Sequence, residues 1–254
     1  MKKRLVTALL ALSFLIGMLY IGGWPLKISL LLTGLIMVHE WVQAFDEAGD
    51  KLPKGILFSA SLMQFAILLY KPSLASLGLL LVLLVLAVDF VLDPEKTVRE
   101  MAVSLLAFIY IPFNLFFCFE FLHTQFLYLV FVIAFSTDTM AYLIGNLFGR
   151  HKLIPQVSPN KTLEGALGGL GGAVLVTFFY FRFLGHPIQS IDLVLVGLAS
   201  VAGQLGDLFA SRIKRQTGIK DFGKILPGHG GLLDRFDSIL FIIPMVYALF
   251  VFSK

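Results

Sequence analysis

The chain has 254 residues, of which 58% are hydrophobic and only 14% charged, with a mean hydropathy of +0.89. A soluble domain of this length carries about 25% charged residues, so that class is excluded and an integral membrane protein is expected. The formal net charge of +4 comes with no nucleic-acid motif, so the basic surplus reads as membrane orientation and no nucleic-acid partner is expected.

Crossing a hydrocarbon core of about 30 Å takes about 17 to 25 apolar residues in a helix. Nine such runs follow one another at Leu5–Gly22, Lys27–Gln43, Gly55–Tyr70, Leu74–Leu92, Met101–Leu122, Phe126–Phe148, Gly165–Leu184, Ile191–Ala210 and Phe236–Phe252. They predict an all-α fold of about nine transmembrane helices, with no soluble domain between them. The first run follows Lys2, Lys3 and Arg4 as in a signal peptide, but it is long for an apolar signal core and no A-x-A site follows it, so it reads as a spanning helix. With the N-terminus cytoplasmic, sixteen of the 20 Lys and Arg fall on the inner side. Only Lys27, Lys71, Arg182 and Lys254 fall outside, which sets the C-terminus on the opposite face.

The single cysteine, Cys118, rules out an internal disulfide or a Cys-rich metal cluster and reads as packing. Polar residues are distributed unevenly. Among the first five runs, His39, Glu40 and Asp89 lie near predicted helix ends within reach of water, so residues 1–122 read as scaffold. Residues 123–254 hold the polar motifs: STDT at Ser136–Thr139, SPNKTLEG at Ser158–Gly165, GQLGD at Gly203–Asp207, and SRIKRQTGIKDFGKILPGHGGLLDRFD at Ser211–Asp237. Chemistry is expected in that half.

An ionised carboxylate near the centre of a spanning helix costs about 2.5 to 3.5 kcal/mol, so each one calls for a partner. Asp207 lies about 7 Å of helix before Arg212, near the cytoplasmic mouth. Asp138 lies about 18 Å before Arg150, which requires a break at Gly145 or a polar cavity reaching down; the competing reading is a packing hydrogen bond with Ser136, Thr137 or Thr139. Gln204 is one turn before Asp207, and Asp234 and Asp237 share a face at i, i+3. Capping of a helix start explains one such aspartate but not all three. Carboxylates without Cys and with few His suit a hard divalent cation such as Mg²⁺, which takes one or two protein oxygens and fills its shell with water and substrate phosphate.

Beside that metal, Lys161, Lys214, Arg215, Lys220, Lys224 and Arg235 are placed to neutralise a polyphosphate. For any one of them, the orientation rule and anionic lipid are sufficient explanations. In the turn Pro227-Gly228-His229-Gly230-Gly231, the glycines let backbone N–H groups approach a phosphate, and His229 offers a proton donor.

The pattern S-x-x-K-R-x4-K-D-x-G-x2-L-P-x-H-G-G-x-x-D-R-x-D from Ser211 to Asp237 resembles the signature of the phosphatidate cytidylyltransferases, or CDP-diacylglycerol synthases. SPNKTLEG and STDTMAYLIGNLFGR resemble two further landmarks of that family, so the likeness is specific over about residues 135–237. Asn160 and Leu163 stand where the family commonly has lysine and tryptophan, and the phosphate contact there is assigned to Lys161 alone.

The resemblance implies transfer of CMP from CTP to phosphatidate with release of pyrophosphate, in a Mg²⁺-dependent homodimer with K⁺ as a second ion, at the inner membrane and on its cytoplasmic side. It places the metal on Asp207 and Asp234. It makes Asp237, Lys220, Asp221, His229 and Arg235 catalytic candidates alongside those two. Lys161, Ser211, Lys214, Arg215, Gly230, Gly231 and Asp138 become substrate-binding candidates. Phosphatidate is already an anionic nucleophile, so no Ser, Cys or strong base is needed.

The run Gly165, Gly168, Gly169, Gly171, Gly172 lacks the G-K-[ST] of a phosphate loop, and its i, i+4 spacing is that of close helix packing. An ion-coupled transporter remains the alternative, although the polar motifs occupy one half rather than two similar halves. A CDP-alcohol phosphotransferase would need D-G-x2-A-R-x8-G-x3-D-x3-D, and a CTP-using lipid kinase would release CDP.

Overall fold

A computed structural model describes residues 2–226, 228 and 230–253, and 79% of the chain is helical. The helices are α1 Lys2–Ile21, α2 Gly23–Glu47, α3 Lys54–Tyr70, α4 Ala75–Leu92, α5 Val98–Phe108, the short α6 Asn114–Phe116, α7 Gln125–Phe148, α8 Leu163–Phe183, α9 Ser190–Gln216 and α10 Leu233–Phe252. Each of the nine apolar runs falls on a helix. The run predicted at Met101–Leu122 is a continuous stack, Val98–Phe121, in which a π turn at Ile109–Phe113 accommodates Pro112 and a 3₁₀ turn ends the stack at Phe117–Phe121. The missing amide of Pro112 removes one α-helical bond, and the wider turn absorbs the gap. Among the described residues, seven helical segments are long and apolar enough to cross a membrane; Leu9–Ile21 and Lys54–Tyr70 are shorter.

The all-α expectation needs one addition. Lys152–Ile154 (β1) and Ser158–Thr162 (β2) pair antiparallel, with Lys152 opposite Thr162 and Ile154 opposite Ser158. Pro155 and Pro159 exclude helix here, and the short loop between the strands leaves a hairpin as the way to satisfy the backbone.

The chain divides into two compact units. One comprises residues 1–120 with 216–235, the other 121–215 with 236–254. The first unit is built on α2 to α6 and has Met37, Val38, Trp41, Leu57, Phe108, Ile111, Leu115 and Phe116 at its core. Start signals at α5 are local: Thr97 and Glu100 form a reciprocal capping box, and the other oxygen of Glu100 accepts the Lys51 N–H at 2.7 Å, tying the α2–α3 loop to the start of α5. The signature segment 216–235 belongs to this unit, although the polar motifs point to residues 123–254 as one catalytic region.

In the second unit α7 and α8 approach closely, and glycine permits it. A Cβ on Gly168 would lie 2.5 Å from the Ile144 Cβ, and one on Gly169 would lie 2.9 Å from the Thr137 carbonyl. Gly165 and Gly172 are equally crowded, by Ala141 and Gly145 and by Met140, whereas Gly171 faces open space. In a bilayer no hydrophobic gain separates helix contact from lipid contact, so this backbone approach is what holds the pair. Gly203 and Gly206 do the same for α9 against α10, where Ile242, Phe241 and the Asp237 carbonyl leave no room for a side chain. Thr137 donates to Ser200 Oγ at 2.9 Å in the buried layer between α7 and α9.

Candidate active site

Residues from four motifs come together in the second unit. Lys161 is the penultimate residue of β2, followed by Thr162, whose hydroxyl accepts the Gly165 N–H at 3.1 Å and caps α8. Glu164 braces this start by accepting the Arg150 and His151 N–H groups and pairing with the His151 ring at 2.6 Å. The hairpin and cap thereby direct Lys161 toward α9, where its ammonium meets the Asp207 carboxylate at 2.6 Å, both side chains about one-third exposed or less. Ser211, one turn on, donates to the other oxygen of Asp207 at 3.3 Å. Asp138 on α7 is exposed and lies within electrostatic range of both Lys161 and Asp207.

Helix α7 runs unbroken through Gly145, so Asp138 owes its polar surroundings to this cluster. Two of its expected packing partners are engaged elsewhere: Ser136 donates to the Val132 carbonyl and Thr137 to Ser200. Gln204 donates to the Ala166 carbonyl at 3.1 Å, which ties α9 to α8 beside the cluster.

A second set forms in the first unit. Asp234, in the first turn of α10, accepts the Phe222 N–H at 2.8 Å and the Gly231 N–H at 2.9 Å on one oxygen. The Gly231 amide is therefore turned to Asp234. Gly230, at φ +84°, takes the left-handed conformation that closes the turn through its bridge to Leu226. A Cβ there would lie 3.0 Å from Asp234 and 3.2 Å from Asp221. Lys220, Asp221 and Arg235 are exposed. In the second unit, Arg215 at the end of α9 is exposed and Lys214 half-buried, and Asp237 is buried, with one of its carboxylate oxygens accepting the Ser238 N–H at 2.7 Å. His229 lies outside the described residues.

Glu40 is the residue that sequence reasoning missed. The expectation was an acid near a helix end within reach of water. Helix α2 instead continues to Glu47, and Glu40 is 1% exposed. Its two oxygens accept the Leu232 and Leu233 N–H groups at 2.9 and 2.7 Å. The available signal was a carboxylate inside a predicted span, which needs a partner by the same reasoning applied to Asp138.

Among the described residues no group of three or more His, Cys, Asp or Glu converges as a metal cage. The donors available are single carboxylates, Asp207 and Asp234, hard and anionic, which suits a cation such as Mg²⁺ that retains water and substrate oxygens.

Residues 2–253 match the family model described as the cytidylyltransferase family. The chain is 34% identical over 261 residues to the phosphatidate cytidylyltransferase of Staphylococcus haemolyticus, covering 99% of each chain. It is 34% identical over 266 residues to that of Bacillus subtilis, covering 98% of this chain and 97% of the relative. The Staphylococcus aureus enzyme is 35% identical over 265 residues with complete coverage of both. With the family model spanning residues 2–253 and relatives alike from end to end, the chain belongs to the cytidylyltransferase family.

Proposed function

We propose that the chain transfers CMP from CTP to phosphatidate, giving CDP-diacylglycerol and pyrophosphate. The observation that carries this reading is the full-length relationship to phosphatidate cytidylyltransferases. The cluster of Lys161, Asp207 and Ser211 supports it, because a cation and a hard carboxylate are paired there in a membrane protein.

A phosphate oxygen of phosphatidate attacks the α-phosphorus of CTP, and the bond to the β-phosphate oxygen breaks. Both reactants are anions, so the residues act mainly by offsetting charge and aligning the two phosphates. Lys161, Lys214, Arg215 and Lys220 are assigned to the triphosphate and the departing pyrophosphate. Asp207 orients Lys161, and Asp207 and Asp234 are each assigned as an oxygen donor that suits Mg²⁺. When bound, that ion draws negative charge from the phosphate oxygens. Asp237 is assigned to holding the start of α10. Nine crossings with the N-terminus and the signature loop on the cytoplasmic side of the inner membrane belong to the same reading, as does a homodimer.

A coupled transporter, the other reading open from the sequence, finds no support among the relatives. The test is a detergent–lipid micelle assay of the purified protein with CTP, phosphatidate and Mg²⁺, scoring CDP-diacylglycerol and pyrophosphate. Equimolar formation of both is expected. Release of CDP with a phosphorylated lipid would replace the reading with a kinase, and no nucleotide turnover by intact protein would remove it.

A further inference from the structure

We propose that Glu40 is a positioning residue for the signature loop: from helix α2 it holds the backbone on which Asp234 is mounted. The proposal rests on the cytidylyl-transfer reading above, which assigns Asp234 its role.

Glu40 lies 192 and 193 residues before the amides that it accepts, those of Leu232 and Leu233. These are the last loop residue and the first residue of α10, so the carboxylate satisfies N–H groups that a helix start leaves without intrahelical partners. Asp234 takes the preceding amide, Gly231, and also that of Phe222. Three consecutive amides, 231 to 233, are thus held by two carboxylates. Any shift of the loop toward or away from α2 breaks charge-assisted bonds on both.

Two glycines enclose the Glu40 head group. A Cβ on Gly231 would lie 2.7 Å from its Cδ and from both oxygens, and a Cβ on Gly223 would lie 2.7 Å from Cδ. Both belong to the signature pattern, and their lack of side chains has a mechanical purpose here: they let the loop close over a buried carboxylate. The next residue of α2, Trp41, is fully buried and stacks on Phe222 with ring centroids 6.3 Å apart and planes 9° apart. Phe222 in turn donates its N–H to Asp234. One turn of α2 therefore fixes both ends of the loop, by Glu40 at residues 232–233 and by Trp41 at residue 222.

The test compares wild type with Glu40→Gln in the micelle assay, on protein shown to be folded by size-exclusion chromatography, with hydrogen exchange followed on peptides covering residues 222–236. The amide substitution keeps the shape but turns an NH₂ toward one of two N–H donors. The expected result is a kcat lower by about 10- to 100-fold, as for groups that orient metal-binding side chains, with a KM for CTP changed by less than about 3-fold and faster exchange in that segment alone. Folded Glu40→Gln with wild-type kcat, or with unchanged exchange at residues 231–233, overturns the proposal. Should Glu40→Gln not fold, Gly223→Ala presses on the same carboxylate from the loop side; it is read in the same two ways, and wild-type values in it are equally fatal. Absence of CDP-diacylglycerol from the wild-type reaction would instead strike the functional reading.

Discussion

Asp207 shows how much one side chain is asked to do. Its two oxygens engage Lys161 and Ser211, so Asp207→Asn both removes charge from the proposed metal donor and releases the lysine. We expect at least a 100-fold loss of kcat/KM in the micelle assay, and a similar loss for Lys161→Ala. The double variant should lose much less than the product of the two, because residues in contact are not additive. Losses that multiply would show that Lys161 and Asp207 act separately. Chelation of divalent cations should abolish turnover and added Mg²⁺ restore it; full activity in excess chelator would remove the metal from Asp207 and Asp234. Asp138 was legible in the sequence as a costly intramembrane acid, but not its surroundings, since Lys161 is brought within electrostatic range of it by a hairpin that lies outside any periodic pattern.

Among the elements, α7 and α8 make the firmest prediction. Gly168 meets Ile144, whereas Gly171 meets nothing within 4 Å. Gly168→Leu is therefore expected to lower thermal stability in detergent by several degrees, the consequence of an overpacking cost of about 1 to 3 kcal/mol. Gly171→Leu, pointing to open space, should leave the melting temperature unchanged. Equal effects at both positions would contradict the close approach. The i, i+4 glycine spacing announced this contact; the start of α8 was less visible. In sequence, Thr162 and Glu164 are neighbours of Lys161 in SPNKTLEG with no role of their own assigned. In the structure they are a cap and a brace, and Lys161 is the residue of SPNKTLEG turned toward Asp207.

At the scale of the whole molecule the open quantity is orientation. Cys118 is 3% exposed, so native background labelling by a membrane-impermeant maleimide should be low. Ser253→Cys is expected to react in intact cells, and Gln216→Cys only after permeabilisation. The opposite pattern would invert the topology, and labelling of both from one side would mean that α10, the helix between them, does not cross. Helices α1 and α3 are the ones to watch, because their apolar stretches, Leu9–Ile21 and Lys54–Tyr70, are the short ones.

Composition and run length alone determined that this is a helical membrane protein, because a bilayer of fixed thickness demands long apolar segments and leaves few other solutions. The motifs determined the family in the same direct way. Tertiary structure decided which carboxylates accept the amides of residues 231–233, and that one of them comes from helix α2. Glu40 and Leu233 are separated by 193 positions, and no periodicity encodes a bond at that distance. It exists because a buried carboxylate and the amides of a helix start each lack water, and the folded chain brings them together.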